Sequence, residues 1–369
     1  MKSMAPPPPP PHTGDHRFPC DQCGADLRFD AGANRLVCDF CGNTQALPER
    51  GGDLRELPYE PGQATRLPED ALENVSVSPC PNCGAQVQFT GADHATECPF
   101  CSTPVVSHTG EMRHIKPQGV VPFALDEKAA KQAMTNWLGR LWFAPNGLQE
   151  YARKGRTMDG VYVPYWTFDA DTASAYAGER GDVYYVSRTV RTNGKTRTVR
   201  ERRVRWSPAR GRVARAFDDV LVLASKSLPK KFTDALAPWT LGDLKPYAPE
   251  FLSGFRAEAY TVELDDGFIE ARQIMDRTIA QDIRRDIGGD EQRIHDVDTR
   301  VWDETFKHIL LPVWVAAYKF RGKTYRFVVN GQTGAVQGER PYSPWKIALA
   351  VVGAAVVAGA IAVGIQYAK

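Results

Sequence analysis

The sequence predicts an α+β protein, in which a largely antiparallel sheet follows two small cysteine-rich modules and precedes one apolar C-terminal helix. All eight cysteines lie before residue 102, in two sets with the same spacing. Strand-like runs and two amphipathic helices fill the middle of the chain. Near the C-terminus, residues 347–365 carry no charge.

These observations divide the chain into six regions. We expect a disordered Pro-rich leader over 1–17, a first cysteine module over 18–46, a linker over 47–77, a second module over 78–107, an α+β domain over 108–343 and an apolar anchor over 344–369.

The composition indicates the cellular compartment of the protein more clearly than it indicates the kind of partner. The formal charge of +2 indicates no class of partner for the whole chain. The leader contains the run Pro6–Pro11 and lacks the apolar core of a secretory signal. We therefore expect a reducing compartment, where paired cysteines bind metal more often than they form disulfides.

Each cysteine set has the form CxxC, fourteen residues, CxxC, and a shift of sixty residues superposes one set on the other. Two CxxC turns can direct four thiolates at one ion, and closed four-cysteine sites are structural. The sequence therefore predicts two zinc ribbons, each holding one structural zinc ion; a redox CxxC pair is the alternative. The expected ligands are Cys20, Cys23, Cys38 and Cys41, and Cys80, Cys83, Cys98 and Cys101.

Residues around the cysteines fit this interpretation. Gly24, Gly42 and Gly84 follow the second cysteine of a pair, where a positive φ is expected, and Ser102 takes that place in the fourth turn. Phe29 and its repeat partner Phe89 are the expected core of each ribbon. Such small units fold only with metal.

Two helices and seven strands are predicted in the large domain. One helix begins at Asp126 and buries Ala130, Met134, Trp137, Leu138 and Leu141; the other begins near Asp266, buries Phe268, Met275, Ile279, Ile283 and Ile287, and ends at Gly288-Gly289. The expected strands are 161–168, 183–191, 196–206, 220–223, 255–264, 309–320 and 324–329.

A basic hairpin is expected around the turn Asn193-Gly194, which places Ser187 opposite Arg200 and Tyr185 opposite Arg202. One face of it should be densely cationic. Three interpretations stay open: a solvated edge, contact with anionic lipid, or binding of nucleic-acid phosphates. The candidate residues for an anionic partner are Arg188, Arg191, Lys195, Arg197, Arg200, Arg202, Arg203 and Arg205.

The apolar run 347–365 predicts one transmembrane helix, flanked by Trp345 and Tyr367. Basic residues precede the run, so most of the chain should lie on the cytoplasmic side of the inner or plasma membrane. Small residues four apart allow self-association in the membrane. A buried Ala/Gly-rich core helix is the alternative.

Evidence for an enzyme is weak in the sequence. We find no phosphate-binding loop, hydrolase motif or dinucleotide motif. Acidic residues and two histidines, His295 and His308, crowd the stretch 286–308, which we expect to be a solvated loop. An enzyme built around these histidines is therefore the weakest hypothesis.

Several stretches resemble bacterial membrane proteins described as containing a TFIIB-type zinc ribbon. The matching stretches are 80–84, 98–101, 160–168, 288–295, 310–314, 329–334 and 338–341. Some relatives are labelled as primosomal protein N-prime, a replication-restart helicase, but this chain lacks the ATPase motifs. The resemblance implies a bacterial, zinc-binding, membrane-associated protein, and it implies no reaction.

The function predicted from the sequence is that of a membrane-anchored zinc-ribbon adaptor, which recruits cytoplasmic protein partners to the inner face of the membrane. The alternative is a nucleic-acid-binding protein that uses the first ribbon and the basic hairpin.

Overall fold

The computed structural model describes residues 18–47, 54–88, 95–101, 103–106, 111–143, 158–192, 195–320, 323–339 and 342–367. Four features predicted above lie outside these residues: the leader over 1–17, Phe89, Ser102 and the turn Asn193-Gly194.

The elements follow the chain in this order. The strands are β1 Arg28–Asp30, β2 Arg35–Val37, β3 Thr44–Gln45, β4 Leu57–Pro58, β5 Leu72–Pro79, β6 Gln86–Gln88, β7 Ala95–Glu97, β8 Pro104–Val106, β9 Glu111–Ile115, β10 Gly119–Val120, β11 Asp159–Thr192, β12 Lys195–Leu223, β13 Lys245–Pro246, β14 Arg256–Ala257, β15 Glu291–Phe320, β16 Lys323–Asn330 and β17 Val336–Gly338. The helices are α1 Glu127–Gly139, α2 Lys230–Asp234, α3 Leu264–Ile287 and α4 Pro344–Tyr367.

Three long antiparallel strands form the centre of the fold, in the order β12, β11, β15. They contain 29, 34 and 30 residues. At the buried end, Tyr165 of β11 pairs with Leu223 on one side and with Ile309 on the other. The mixed α+β class with a mostly antiparallel sheet is confirmed.

Both predicted helices are present. The carboxylate of Asp126 accepts a hydrogen bond from the Ala129 N–H at 2.7 Å and so caps α1. Helix α3 buries Met275, Ile279 and Ile283 against the long strands, and Gly288 with φ 65° ends it.

Two local predictions are wrong. The stretch 255–264 contains only the two-residue strand β14, and its last residue, Leu264, already begins α3. The stretch 286–308 is not a loop, because residues from Glu291 onward form strand β15. Two side chains of this stretch have partners on neighbouring strands: Glu291 forms an ion pair with Arg202, and His295 lies 3.4 Å from Glu179.

The region predicted as a linker, 47–77, carries structure from residue 54 onward. Strand β4 pairs with β15, and Leu57 is buried. The carboxylate of Glu56 accepts a hydrogen bond at 2.7 Å from Lys307, whose ammonium group also contacts Asp169 and Asp219. This segment is therefore part of the large domain, and β5 leads from it directly into the second cysteine module.

Helix α4 has the length and composition of a membrane span. The 18 residues Pro344–Ile361 have a mean hydropathy of 1.8, and none of them is buried within the chain. The alternative of a helix buried in the core therefore does not hold for this window. An apolar helix that the described residues leave exposed is typical of a membrane span.

Candidate metal centres

The first candidate centre lies in ribbon 1, residues 18–46, where β1, β2 and β3 form a small antiparallel sheet. Its four cysteine sulfurs lie within 4.8 Å of one another. The Sγ atoms of Cys20 and Cys41 are 3.5 Å apart, as are those of Cys23 and Cys38. The predicted four-cysteine set is thus brought together at one point.

The second candidate centre, in ribbon 2 (residues 78–107), repeats this geometry. The Sγ atoms of Cys80 and Cys101 are 3.5 Å apart, and those of Cys83 and Cys98 are 3.6 Å apart. Three of these cysteines are buried, whereas in ribbon 1 Cys23 and Cys41 are exposed. The second centre is therefore the more enclosed of the two.

The turns that carry the cysteines have the conformation that the glycines predict. Gly24, Gly42 and Gly84 have φ values of 73°, 74° and 75°. In each of these turns the glycine N–H donates to the carbonyl of the first CxxC residue, at 2.8 Å in the case of Cys20. A side chain at these positions would be strained, which explains why glycine stands there.

Backbone N–H groups also face the sulfurs and favour the thiolate. Burial alone would raise the pKa of Cys20, but the N–H groups of Gln22 and Cys23 and the amide of Asn43 outweigh it and lower that pKa to about 6. The amide nitrogen of Asn43 lies 3.6 Å from the Cys20 sulfur. Thiolates are the form that binds metal.

The residues present fit a tetrahedral metal ion. A tetrahedron with metal–sulfur bonds of about 2.3 Å has sulfur–sulfur edges of about 3.8 Å, close to the observed distances. The same distances are much longer than the roughly 2.05 Å of a disulfide. Four thiolates in this geometry select zinc or iron, and they leave no position open for substrate.

Both ribbons are anchored on one segment of the large domain, residues 248–259. In ribbon 1, the Phe29 ring contacts the rings of Phe251 and Phe255 at centroid distances of 5.4 and 6.3 Å, and its N–H donates to the Ser253 carbonyl at 3.0 Å. In ribbon 2, Val87 forms a β-bridge with Glu258. This shared support holds the two centres in a fixed relation to the sheet.

Ribbon 2 also borders a cavity that the sequence did not predict. The cavity has a volume of about 280 Å³ and is lined by Cys83, Cys101, Lys226 and Arg326, among others. The two cations come from distant parts of the chain, so no spacing in the sequence reveals them. They place positive charge beside thiolates whose metal complex would be negatively charged.

The basic hairpin has the predicted register, with Ser187 opposite Arg200 and Tyr185 opposite Arg202. Because side chains alternate along each strand, the eight candidate cations are divided between the two faces of the hairpin, and five of their positions fall on one face. One face holds the positions of Arg188, Lys195, Arg197, Arg203 and Arg205, and the other holds those of Arg191, Arg200 and Arg202.

The hairpin projects beyond the rest of the sheet, since β15 pairs with β11 only as far as Gly181. The part of β11 beyond this point, residues 182–192, extends for about 35 Å at roughly 3.3 Å per residue. Strand β17, which precedes α4, pairs with β16, and β16 in turn pairs with residues 314–316 of β15. The tip of the hairpin lies at the opposite end of the long strands from this point.

The two histidines of the enzyme hypothesis lie far apart. They are 13 residues apart on the same strand, which corresponds to about 40 Å. His295 is exposed, whereas His308 is buried and its Nδ1 lies 2.7 Å from the Ile115 carbonyl oxygen. Burial lowers the pKa of His308 to about 4, so its ring is neutral near pH 7. This arrangement does not form one acid–base site.

Comparison with known proteins adds one relative. The chain is 26% identical over 347 residues to the uncharacterized protein YdjG of Bacillus subtilis strain 168, and the match covers 90% of this chain and 92% of YdjG. No family model matches the chain, and no solved structure matches it significantly. Similarity therefore extends over nearly the whole chain, but it brings no described activity.

Proposed function

We propose that this protein is a single-pass membrane protein with two structural zinc ions, and that it holds cytoplasmic protein partners at the inner face of the membrane. The observation that carries the proposal is the fixing of two closed four-cysteine centres on segment 248–259, in a chain that also has a fully exposed apolar helix. Closed centres supply rigid surface and no chemistry, which is what an adaptor requires.

Zinc is the ion that best suits this role. Zinc has no redox chemistry, and its four-cysteine sites stabilise folds that lack a sufficient core of their own. Ribbon 1 has few buried apolar residues beyond Leu27, Phe29 and Leu36. An iron centre of the same geometry is the competing outcome, and elemental analysis of the purified protein separates the two.

The adaptor role is tested by affinity purification of the full-length protein in mild detergent, beside a Cys80→Ser, Cys83→Ser variant. Asn82→Ser is the matched control, because Asn82 is exposed and lies in the same turn without being a ligand. A protein that accompanies the wild type and the control but not the cysteine variant supports the proposal. The same set of proteins with all three forms contradicts it.

A second candidate function, nucleic-acid binding at the hairpin, is favoured by one observation. Arginines occupy both faces of an arm whose tip lies at the far end of the strands from α4, so phosphates are more accessible to it than lipid headgroups. Binding of labelled DNA should then weaken steeply with salt, with a log–log slope that falls by about 0.9 for each phosphate contact removed. The variant Arg188→Gln, Arg200→Gln, which changes both faces, should show that smaller slope; no binding at low salt excludes this function.

A further inference from the structure

Four large aromatic side chains are exposed near the start of α4. The exposed fractions are 77% for Trp142, 40% for Phe143, 55% for Tyr342 and 75% for Trp345. Tryptophan is highly buried on average in folded proteins, so two tryptophans three-quarters exposed in one region require an explanation. We call these four residues the aromatic patch.

One hydrogen bond joins the two halves of the patch, which lie far apart in the sequence. The Ser343 N–H donates to the Phe143 carbonyl at 2.8 Å. Since consecutive Cα atoms are about 3.8 Å apart, this contact keeps Trp142 and Trp345 within roughly 20 Å of each other. The turn after α1 therefore lies beside the first residue of α4.

The outward direction of Trp142 and Phe143 follows from the packing of the residues before them. Leu138 is buried, and Trp137 and Leu141 pack against the same core. The Trp137 ring meets the Phe327 ring at a centroid distance of 5.5 Å. With these side chains directed inward, the next two residues of the turn are left on the outside of the domain.

We propose that the aromatic patch lies in the interfacial layer of the membrane and is a second attachment point for the domain, beside the span itself. Tryptophan and tyrosine favour this layer because their rings are apolar and their N–H or O–H groups reach water. The patch is continuous with α4, whose apolar window begins at Pro344. This inference rests on the proposed function, since it requires that α4 enters a bilayer.

Charge and position favour lipid over a protein as the occupant. Arg140, which is exposed, precedes the patch, and Lys346 follows Trp345, so both can meet anionic headgroups. Two contacts, one before and one within α4, prevent the domain from rotating freely about its anchor. The hairpin then keeps a defined direction relative to the membrane surface.

The test uses the full-length protein in vesicles of phosphatidylcholine and phosphatidylglycerol, in which part of the phosphatidylcholine is brominated near the headgroup. Bromine quenches only those tryptophans that lie in the bilayer interface. Of the eight tryptophans, Trp142 and Trp345 are the two that should be quenched. We therefore expect Trp142→Phe to reduce the quenchable emission by roughly half.

Trp302→Phe is the matched control, because Trp302 is also exposed but pairs with Asp171, farther along the strands toward the hairpin. It should remove only emission that bromine does not quench. Quenching that is unchanged by Trp142→Phe overturns the patch. Extraction of the same vesicles with carbonate tests the membrane span separately from the aromatic patch. A protein that is washed off refutes the membrane span. A protein that is retained but whose Trp142 is not quenched refutes the patch alone.

Discussion

The docking of ribbon 1 leads to a prediction whose magnitude follows from the structure. Phe29 is fully buried and its ring contacts those of Phe251 and Phe255. Replacing a buried phenylalanine by alanine costs about 3 to 5 kcal/mol. We expect Phe29→Ala to lower the free energy of opening of ribbon 1 from the domain by that amount, which raises its open population by about a hundredfold or more.

Amide hydrogen exchange measures this opening at single residues. The Phe29 N–H is protected by the Ser253 carbonyl at 3.0 Å, and the neighbouring Leu27 N–H is bonded to the Phe18 carbonyl within the ribbon at 2.7 Å. In the Phe29→Ala variant, exchange at position 29 should accelerate much more than exchange at Met275, which is buried in α3. Metal content should be unchanged because all four ligands remain.

Phe40→Ala is the control for this prediction, since Phe40 lies on the same ribbon but is 83% exposed. Substitutions at such sites change stability by less than about 0.5 kcal/mol. Equal exchange at position 29 in the two variants would refute the docked arrangement of the ribbon.

Three further predictions concern buried charge and backbone strain. Burial lowers the pKa of His308 from about 6.5 to about 4, so between these pH values the unfolded chain binds more protons at this residue than the folded chain does. The free energy of unfolding should therefore fall by about 3 kcal/mol as the pH drops from 6.5 to 4. In urea unfolding at several pH values, His308→Asn should remove this part of the pH dependence. Lys307→Met leaves three carboxylates without their cation and should lower the free energy of unfolding by about 3 to 5 kcal/mol in urea titrations. Gly84→Ala places a Cβ at φ 75°, costs about 1 to 2 kcal/mol, and should accelerate the transfer of metal from ribbon 2 to a chelator.

Matched controls distinguish these effects from general loss of fold. Lys230→Met removes a half-exposed lysine and should cost less than about 1 kcal/mol. Gly139→Ala adds a Cβ that meets no atom within 4 Å, so metal release should stay at the wild-type rate. The first prediction is contradicted if the stability of His308→Asn depends on pH as strongly as that of the wild type. The second is contradicted if Lys307→Met is as stable as Lys230→Met. The third is contradicted if Gly84→Ala and Gly139→Ala release metal at the same rate.

Local signals predicted the cysteine clusters, both helices and the hairpin register, because each depends on residues close in sequence. Gly24 and its equivalents mark the cysteine turns, and Asn193-Gly194 fixes which residues lie opposite each other. In the cysteine turns and in the hairpin, the spacing of residues in the sequence is enough to determine the local geometry.

The length of the central strands was not predictable, because it depends on tertiary packing. Between the predicted strands lie Ala173, Ala175, Gly178 and Gly181, residues with low strand propensity. Gly178 is needed because a Cβ there would lie 2.2 Å from the Arg293 carbonyl oxygen of the paired strand. The small residues that indicate the end of a strand in the sequence are therefore the ones that allow the long strands to pair closely and continue.

The docking of both ribbons on segment 248–259 also has no signal in the sequence, since the contacts join residues more than about 150 positions apart. The Arg256 guanidinium donates to the Glu97 carbonyl of ribbon 2, and the Ser253 hydroxyl donates to the Leu27 carbonyl of ribbon 1. Neither residue belongs to a recognisable motif. Only the folded chain reveals that this short segment supports both candidate metal centres.

The most direct test of the account is the metal content of the full-length protein recovered from carbonate-washed membranes. The two four-cysteine centres and the proposed membrane span predict a protein that stays in the membrane with two zinc ions per chain. Iron in place of zinc, fewer than two ions per chain, or recovery of the protein in the carbonate wash would contradict it.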